Sequence, residues 1–293
     1  MCLFFLQLRC KKFTFTIIKT CAVLSLFKTL KNAQFKSILM SKLPQEHQFL
    51  DLSDYGRPIA RMIANALKNT KFTPVDVTIA FVISGLIGVF CITKEYYWAA
   101  AFFLIFKSIL DAADGELARV KKTPSYTGRF LDSVSDILLN FIIFSTLWQV
   151  TNVGILLAFL AFFGIQLQGT LYNYYYVILR NRFDGDTTSR VFEDKTPIAL
   201  PGEKQKNVNT LFFLYKLFYG VFDKIIYALD KNASKGKPFP NWLMTLISTF
   251  GLGFQLLLIS LFLVLGLITY IIPFFIGYSA LIFVFILIRR RFY

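Results

Sequence analysis

Four aspartates stand at the facing ends of two apolar runs, and that placement constrains the chain more than any other feature. The stretch Asp111 to Asp136 reads DAADGELARVKKTPSYTGRFLDSVSD, and its fixed positions are Asp111, Asp114, Gly115, Ala118, Arg119, Gly128, Asp132 and Asp136. One apolar run ends at Leu110 and another, LLNFIIFSTLW, begins two residues after Asp136. Ionisable groups inside membrane segments are costly and default to a functional reading. Asp111 and Asp114 are three apart, and Asp132 and Asp136 are four apart, so each pair shares one helix face. A tight turn between the helices brings the pairs together. Clustered carboxylates repel and take up protons unless cations relieve them. Oxygen-only ligation suits Mg²⁺ or Mn²⁺ and argues against zinc, and such magnesium sites complete their shell with substrate phosphates. Gly115 lets a ligand approach the backbone, Ala118 keeps the same face shallow, and Arg119 offers a charge-assisted fork to a phosphate. Gly128 lets the second helix start close to the first. Helix-capping aspartates or a solvated loop would not require glycine, alanine and arginine at set offsets.

All eight positions match the motif of the CDP-alcohol phosphotransferase family, which this chain resembles over about residues 55–290. The resemblance implies an integral membrane enzyme of phospholipid synthesis that takes a CDP-linked lipid donor, most often CDP-diacylglycerol, and an alcohol acceptor. It implies that Asp111, Asp114, Asp132 and Asp136 hold two divalent ions, Mg²⁺ or Mn²⁺. Asp136 would also accept the acceptor hydroxyl's proton. Gly115, Ala118, Arg119, Ser125 and Gly128 fall to the nucleotide and its phosphates. The family's T-P-N-x-x-T junction, which helps hold the cytidine, is matched by Thr73, Pro74 and Thr78. Val75 replaces its asparagine, and Asp76 stands beside it as a substitute. A homodimer is a further implication. Two other classes stand beside this one: a proton- or cation-coupled transporter using the intramembrane acids, and a scaffold without activity. Within the family, a CDP-ethanolamine or CDP-choline type of enzyme acting on diacylglycerol is the alternative. The acceptor carries no pattern that the sequence reveals.

Composition agrees with an all-α polytopic membrane protein. The chain has 293 residues, 56% hydrophobic, with 34 Phe and a net charge of +15. That charge fits cytoplasmic loops beside anionic lipid head groups rather than nucleic acid. Cys2, Cys10, Cys21 and Cys91 show neither metal nor disulfide spacing, and His47, the single histidine, has no catalytic partner. Residues 1–52 read as a basic tail, with no acidic residue before Glu46. Three readings compete for residues 1–39: a surface tail, a targeting segment, or sequence upstream of a true start at Met40. The last is favoured.

Residues 53–293 read as the membrane domain. It opens with an amphipathic interfacial helix at 53–70, whose stripe is Ile59, Met62, Ile63, Ala66 and Leu67, flanked by Arg57, Arg61 and Lys68. Six spans are expected, at about 75–93, 96–119, 128–149, 153–178, 242–266 and 269–288. Lys107, four residues before Asp111, is read as snorkelling or pairing with it. Residues 181–209 read as a cytoplasmic loop. The stretch 210–229 is long enough to span, but Lys216, Asp223 and Lys224 share one side, so it is read as interfacial. Six spans leave only Lys94 among Lys and Arg in the outer loops and put Arg289, Arg290 and Arg291 inside. The aspartates then face the cytoplasm, with a bacterial inner membrane favoured over a eukaryotic endomembrane.

Overall fold

The computed structural model describes residue 43, residues 45–183 and residues 195–293. The expectations for residues 1–39 and Met40, and part of the 181–209 loop, lie outside them. Among the described residues the chain is helical with no strand.

Helix α1 runs Arg57–Leu67, shorter than the 53–70 expected. Gly56 precedes it because a Cβ there would lie 2.9 Å from Ile109 Cγ1. Ala60 and Ala64 are fully buried against the motif helix, while Ile59 and Met62 stay exposed. The buried face is therefore centred on Ala60 and Ala64 rather than on the expected stripe, of which Ile63 and Leu67 pack beside them while Ile59, Met62 and Ala66 stay exposed as an interfacial helix allows.

Helix α2, Pro74–Thr93, starts on a capping box. The Thr73 amide donates to Asp76 Oδ2 at 2.7 Å, and the Asp76 amide donates back to Thr73 Oγ1 at 3.3 Å. Asp76 thus spends its carboxylate on the cap, which accounts for its place beside Val75. Helix α3, Tyr97–Lys121, carries the first half of the motif and stops where Lys122 adopts a left-handed conformation at φ 56°. After a short turn, Ser125 caps α4, Tyr126–Thr151, by accepting the Gly128 amide at 2.9 Å. The two aspartate pairs lie on either side of this turn. Helix α2 packs against both α3 and α4, while these two make little direct contact with each other. The gap between them is where the candidate site lies.

Helix α5, Ile155–Arg182, and α6, Gln205–Leu229, follow. Helix α6 packs on α4 and α5, with Phe222 against Phe163 at 4.9 Å between ring centroids. It starts five residues before the expected 210. Helix α7, Asn241–Ile247, continues through a 3₁₀ turn at Ser248–Phe250 and then bends by 55° into α8, Leu252–Val264. A straight span was expected at 242–266. The bend sits at Gly251, and a Cβ on Gly253 would overlap the Ser53 carbonyl, so the segment before α1 wedges into it. Ile268–Phe292 closes the chain through α9, Ile271–Tyr278, and α10, Leu281–Phe292.

Among the described residues four helices are long and apolar enough to cross a membrane: Pro74–Thr93, Tyr126–Thr151, Ile155–Arg182 and Ile268–Phe292. The bent α7–α8 pair makes a fifth if it counts as one span. The expected six is not reached on length and apolarity. Helix α3 has 25 residues but carries Lys107, Asp111, Asp114, Glu116, Arg119 and Lys121. The motif itself removes it from the apolar set.

Two large apolar clusters hold the bundle. One gathers Leu104, Phe144, Leu147, Leu256 and Phe275, and the other gathers Tyr175, Leu243, Met244, Phe250 and Phe285. Long aliphatic and aromatic faces such as Ile155, Leu156 and Phe159 remain exposed, as a lipid-facing surface requires.

Candidate active site

The turn after α3 brings three carboxylates together. One oxygen each from Asp111, Asp114 and Asp132 lie within 4.8 Å of one another. Asp114 is buried and accepts a 2.7 Å hydrogen bond from the Thr78 hydroxyl. The Pro74 carbonyl lies 3.2 Å from that same hydroxyl. Pro74 and Thr78 therefore support Asp114 from behind. Asp132 Oδ1 is buried and has no hydrogen-bond partner among the described residues. Burying a carboxylate oxygen without a partner is costly. An all-oxygen donor set with an orphaned oxygen suits a hard divalent cation such as Mg²⁺ or Mn²⁺, so these residues fit the implied metal.

Asp136 stands apart from that trio. Its Oδ1 receives the Lys107 ammonium, which also donates to Asp111 Oδ2 at 3.0 Å. Lys107 is 2% exposed and lies over the Phe81 ring, 4.6 Å from its centroid. The expected pairing with Asp111 is present. The bridge to Asp136 on the neighbouring helix is not something spacing within α3 could reveal.

Arg119, expected at a phosphate, is held by Glu116 at 3.0 Å. Glu116 is 1% exposed and also meets Arg57 at 2.8 Å and Arg61 at 3.5 Å. Of the three guanidinium groups on this buried carboxylate, those of Arg57 and Arg61 tie α1 to the motif helix. Arg57 carries a second acid, Asp54. Burial acts against the charged form of Arg57, yet the two carboxylates more than offset it and raise its pKa. Arg57 and Arg61 were read as flanks of the interfacial helix; they point inward instead. Gly115 faces the Arg119 guanidinium, and a Cβ there would sit 3.6 Å from it.

A cavity of about 460 Å³ opens beside these groups. Asp111, Asp114, Gly115, Arg119, Asp132 and Asp136 line it, together with Arg57. Helix α5 adds Gln166, Tyr172, Tyr176 and Arg180, and α6 adds Tyr215, Tyr219 and Asp223. No period or motif in the sequence marks these. Asp223 is the single acid of 210–229, where with Lys216 and Lys224 it reads as the polar side of an interfacial helix rather than as part of a site. Pro74, Thr78, Ala118, Ser125 and Gly128 are not among the lining residues. Ser125 donates to Glu203 at 2.7 Å, so its hydroxyl serves the start of α4 and the loop before α6.

A family model for CDP-alcohol phosphatidyltransferase matches residues 63–286, from inside α1 to inside α10. Among curated proteins none matches. The match covers well over half of the chain, and both halves of the carboxylate site fall inside it. The chain therefore belongs to the CDP-alcohol phosphatidyltransferase family, membrane phosphotransferases of lipid synthesis.

Proposed function

We propose that the protein transfers a phosphatidyl group from CDP-diacylglycerol to a polar alcohol and releases CMP. The observation that carries this is the trio of Asp111, Asp114 and Asp132 opening on a cavity lined by Arg57, Arg119, Arg129 and Arg180. Four guanidinium groups suit a diphosphate and a polar acceptor better than diacylglycerol. Asp111, Asp114, Asp132 and Asp136 would hold two divalent ions, Mg²⁺ or Mn²⁺. When bound, the ions neutralise charge on the diphosphate and on the leaving phosphate.

Asp136 takes the proton from the acceptor hydroxyl. The acceptor oxygen forms a bond to the phosphorus that bears the diacylglycerol. The anhydride P–O bond breaks in line, and its electron pair leaves with CMP. Arg119 turns from Glu116 to the phosphates, and Glu116 keeps Arg57 and Arg61 in register beside it. Thr78 fixes the Asp114 carboxylate. Gly115 keeps the wall beside the nucleotide low, and Pro74, Ser125 and Gly128 set the helix starts that frame it.

Helix α3 makes a further crossing beside the four or five apolar spans, with its carboxylate end at the cytoplasmic face, where CDP-activated lipids are supplied. Single cysteines near Gly202 should then resist a membrane-impermeant thiol reagent applied from outside, in a background lacking the native cysteines. Offering the purified protein CDP-diacylglycerol with a pool of polar alcohols, then weighing the lipids formed, tests donor and acceptor together. A new phospholipid with matching CMP is expected. CMP formed only from CDP-ethanolamine or CDP-choline with diacylglycerol would reverse the donor assignment.

A further inference from the structure

We propose that Lys107 guards the Asp111–Asp136 half of the carboxylate site and so imposes an order on metal loading. The first ion seats on Asp111, Asp114 and Asp132. The second reaches Asp136 only by displacing the Lys107 ammonium. This rests on the metal-site reading given under Proposed function and adds a rule for how that site fills.

The four carboxylates are not equivalent in the structure. Three of them offer oxygens within 4.8 Å of one another, and one of these oxygen-bearing groups, Asp132, has a buried Oδ1 without a partner. Among the described residues the trio's one cationic partner is Lys107, held on Asp111 at 3.0 Å, and no cation pairs with Asp114 or Asp132. Asp136 falls outside the trio and is already neutralised by Lys107, which reaches it across the gap between α3 and α4. A divalent ion entering the trio relieves repulsion directly. One entering beside Asp136 must overcome a charged hydrogen bond and then sit next to an ammonium, a like charge in a water-poor site. Lys107 has little room to retreat to water, since it is 2% exposed. It does have a place to stay: Asp111 at 3.0 Å and the face of Phe81 at 4.6 Å. The ammonium can therefore yield Asp136 without being stranded.

The test is Mn²⁺ binding to the full, purified, metal-stripped chain, followed by calorimetry and by the paramagnetic signal of bound Mn²⁺, without donor or acceptor. The wild type should bind two ions in separate steps. Lys107→Gln should leave the first constant within about threefold and tighten the second roughly 10- to 100-fold, the value of one hydrogen bond to a charged group. Lys107→Arg keeps the charge and should keep the second step weak. Two ions bound with equal affinity by the wild type would overturn the proposal, and this needs no variant. So would an unchanged second constant in Lys107→Gln while the first ion still binds. Absence of any Mn²⁺ binding to the wild type would instead overturn the metal-site reading beneath it.

Discussion

Two aspartate sites in this bundle differ in one respect: whether their charge is answered. At the C-terminal end, Asp230 is fully buried. Arg289 Nε donates to its Oδ2 at 2.8 Å, Tyr175 donates to the same oxygen at 2.6 Å, and the Arg289 and Arg290 guanidinium groups face Oδ1. The last helix is thereby fastened to the end of α6, and the Lys237 amide adds a bond to the Tyr293 carbonyl at 2.8 Å. At the other site, Asp111, Asp114, Asp132 and Asp136 converge with Lys107 and Thr78 as their main partners, and one oxygen of Asp132 has none. An answered carboxylate fastens elements together. A site with charge to spare is built for something that arrives.

The largest expected effect is on the second site. Asp136→Asn should lower CMP release on the order of 10²–10⁴-fold, because loss of a general base costs that much. Asn keeps the shape but is a poor base. Excess Mg²⁺ or Mn²⁺ should not restore the rate. Asp114→Asn and Asp132→Asn should also fail at ordinary metal levels and recover part of their rate as metal is raised. Equal recovery in all three would make Asp136 a ligand only. Asp114→Asn and Asp132→Asn should not lower the unfolding midpoint, since each removes a repelling charge, whereas Asp136→Asn takes a partner from the buried Lys107 and should lower it.

Asp230→Ala should do the reverse. It strands Arg289 in the core, and breaking a buried pair costs about 3–5 kcal/mol. Denaturant unfolding in detergent reads this directly. The rate per folded molecule should stay near that of the wild type. Lost activity without lost stability would mean that the network serves the site.

The contrast between these sites was only partly open to a reader of the sequence. The spacing of Asp111, Asp114, Asp132 and Asp136 placed a carboxylate cluster between two helices, because helix periodicity is local. The amphipathic α1 was legible for the same reason. The Lys107–Asp136 bridge, the Arg57–Glu116–Arg119 cluster and the Asp230–Arg289 pair join residues 29, 59 and 59 apart, or elements far from each other, and no period encodes them. Glu116 lay inside the motif yet drew no notice, since nothing local says that three arginines converge on it. The capping role of Asp76 is local, set by its three-residue spacing from Thr73, and it takes the place of the nucleotide contact expected there. The 55° bend at Gly251 depends on the Ser53 backbone, nearly two hundred residues earlier, and the hydropathy of 242–266 gives no sign of it.

A smaller effect sharpens the comparison at Thr78. Thr78→Val removes the hydrogen bond to Asp114 and should weaken the first Mn²⁺ constant by about tenfold, near the value of such a bond. Isothermal titration checks this. No change would mean that Asp114 needs no support from α2.

The smallest effect concerns Glu203, which answers amides instead of arginines. Burial acts to raise its pKa. The Thr127 amide and the Ser125 hydroxyl win, and with the Leu200 amide they hold the carboxyl at about 2 instead of 4.5. A depressed folded pKa means that its stabilisation is full above the unfolded value near 4.5 and fades as pH falls toward about 2. Glu203→Gln should flatten that part of the stability profile and lower neutral-pH stability toward the value the wild type has in acid. An unchanged slope between these limits would show that the loop contact is not formed in solution.

The central claim is that the unanswered carboxylates make a metal-dependent transferase. The measurement is CMP release by the wild-type protein from CDP-diacylglycerol and a polar alcohol pool, with Mg²⁺ or Mn²⁺ added and then chelated. CMP should appear in step with new phospholipid, stop on chelation, and resume when metal is returned. CMP release that continues unchanged under chelation, or no CMP with any acceptor, would contradict the account.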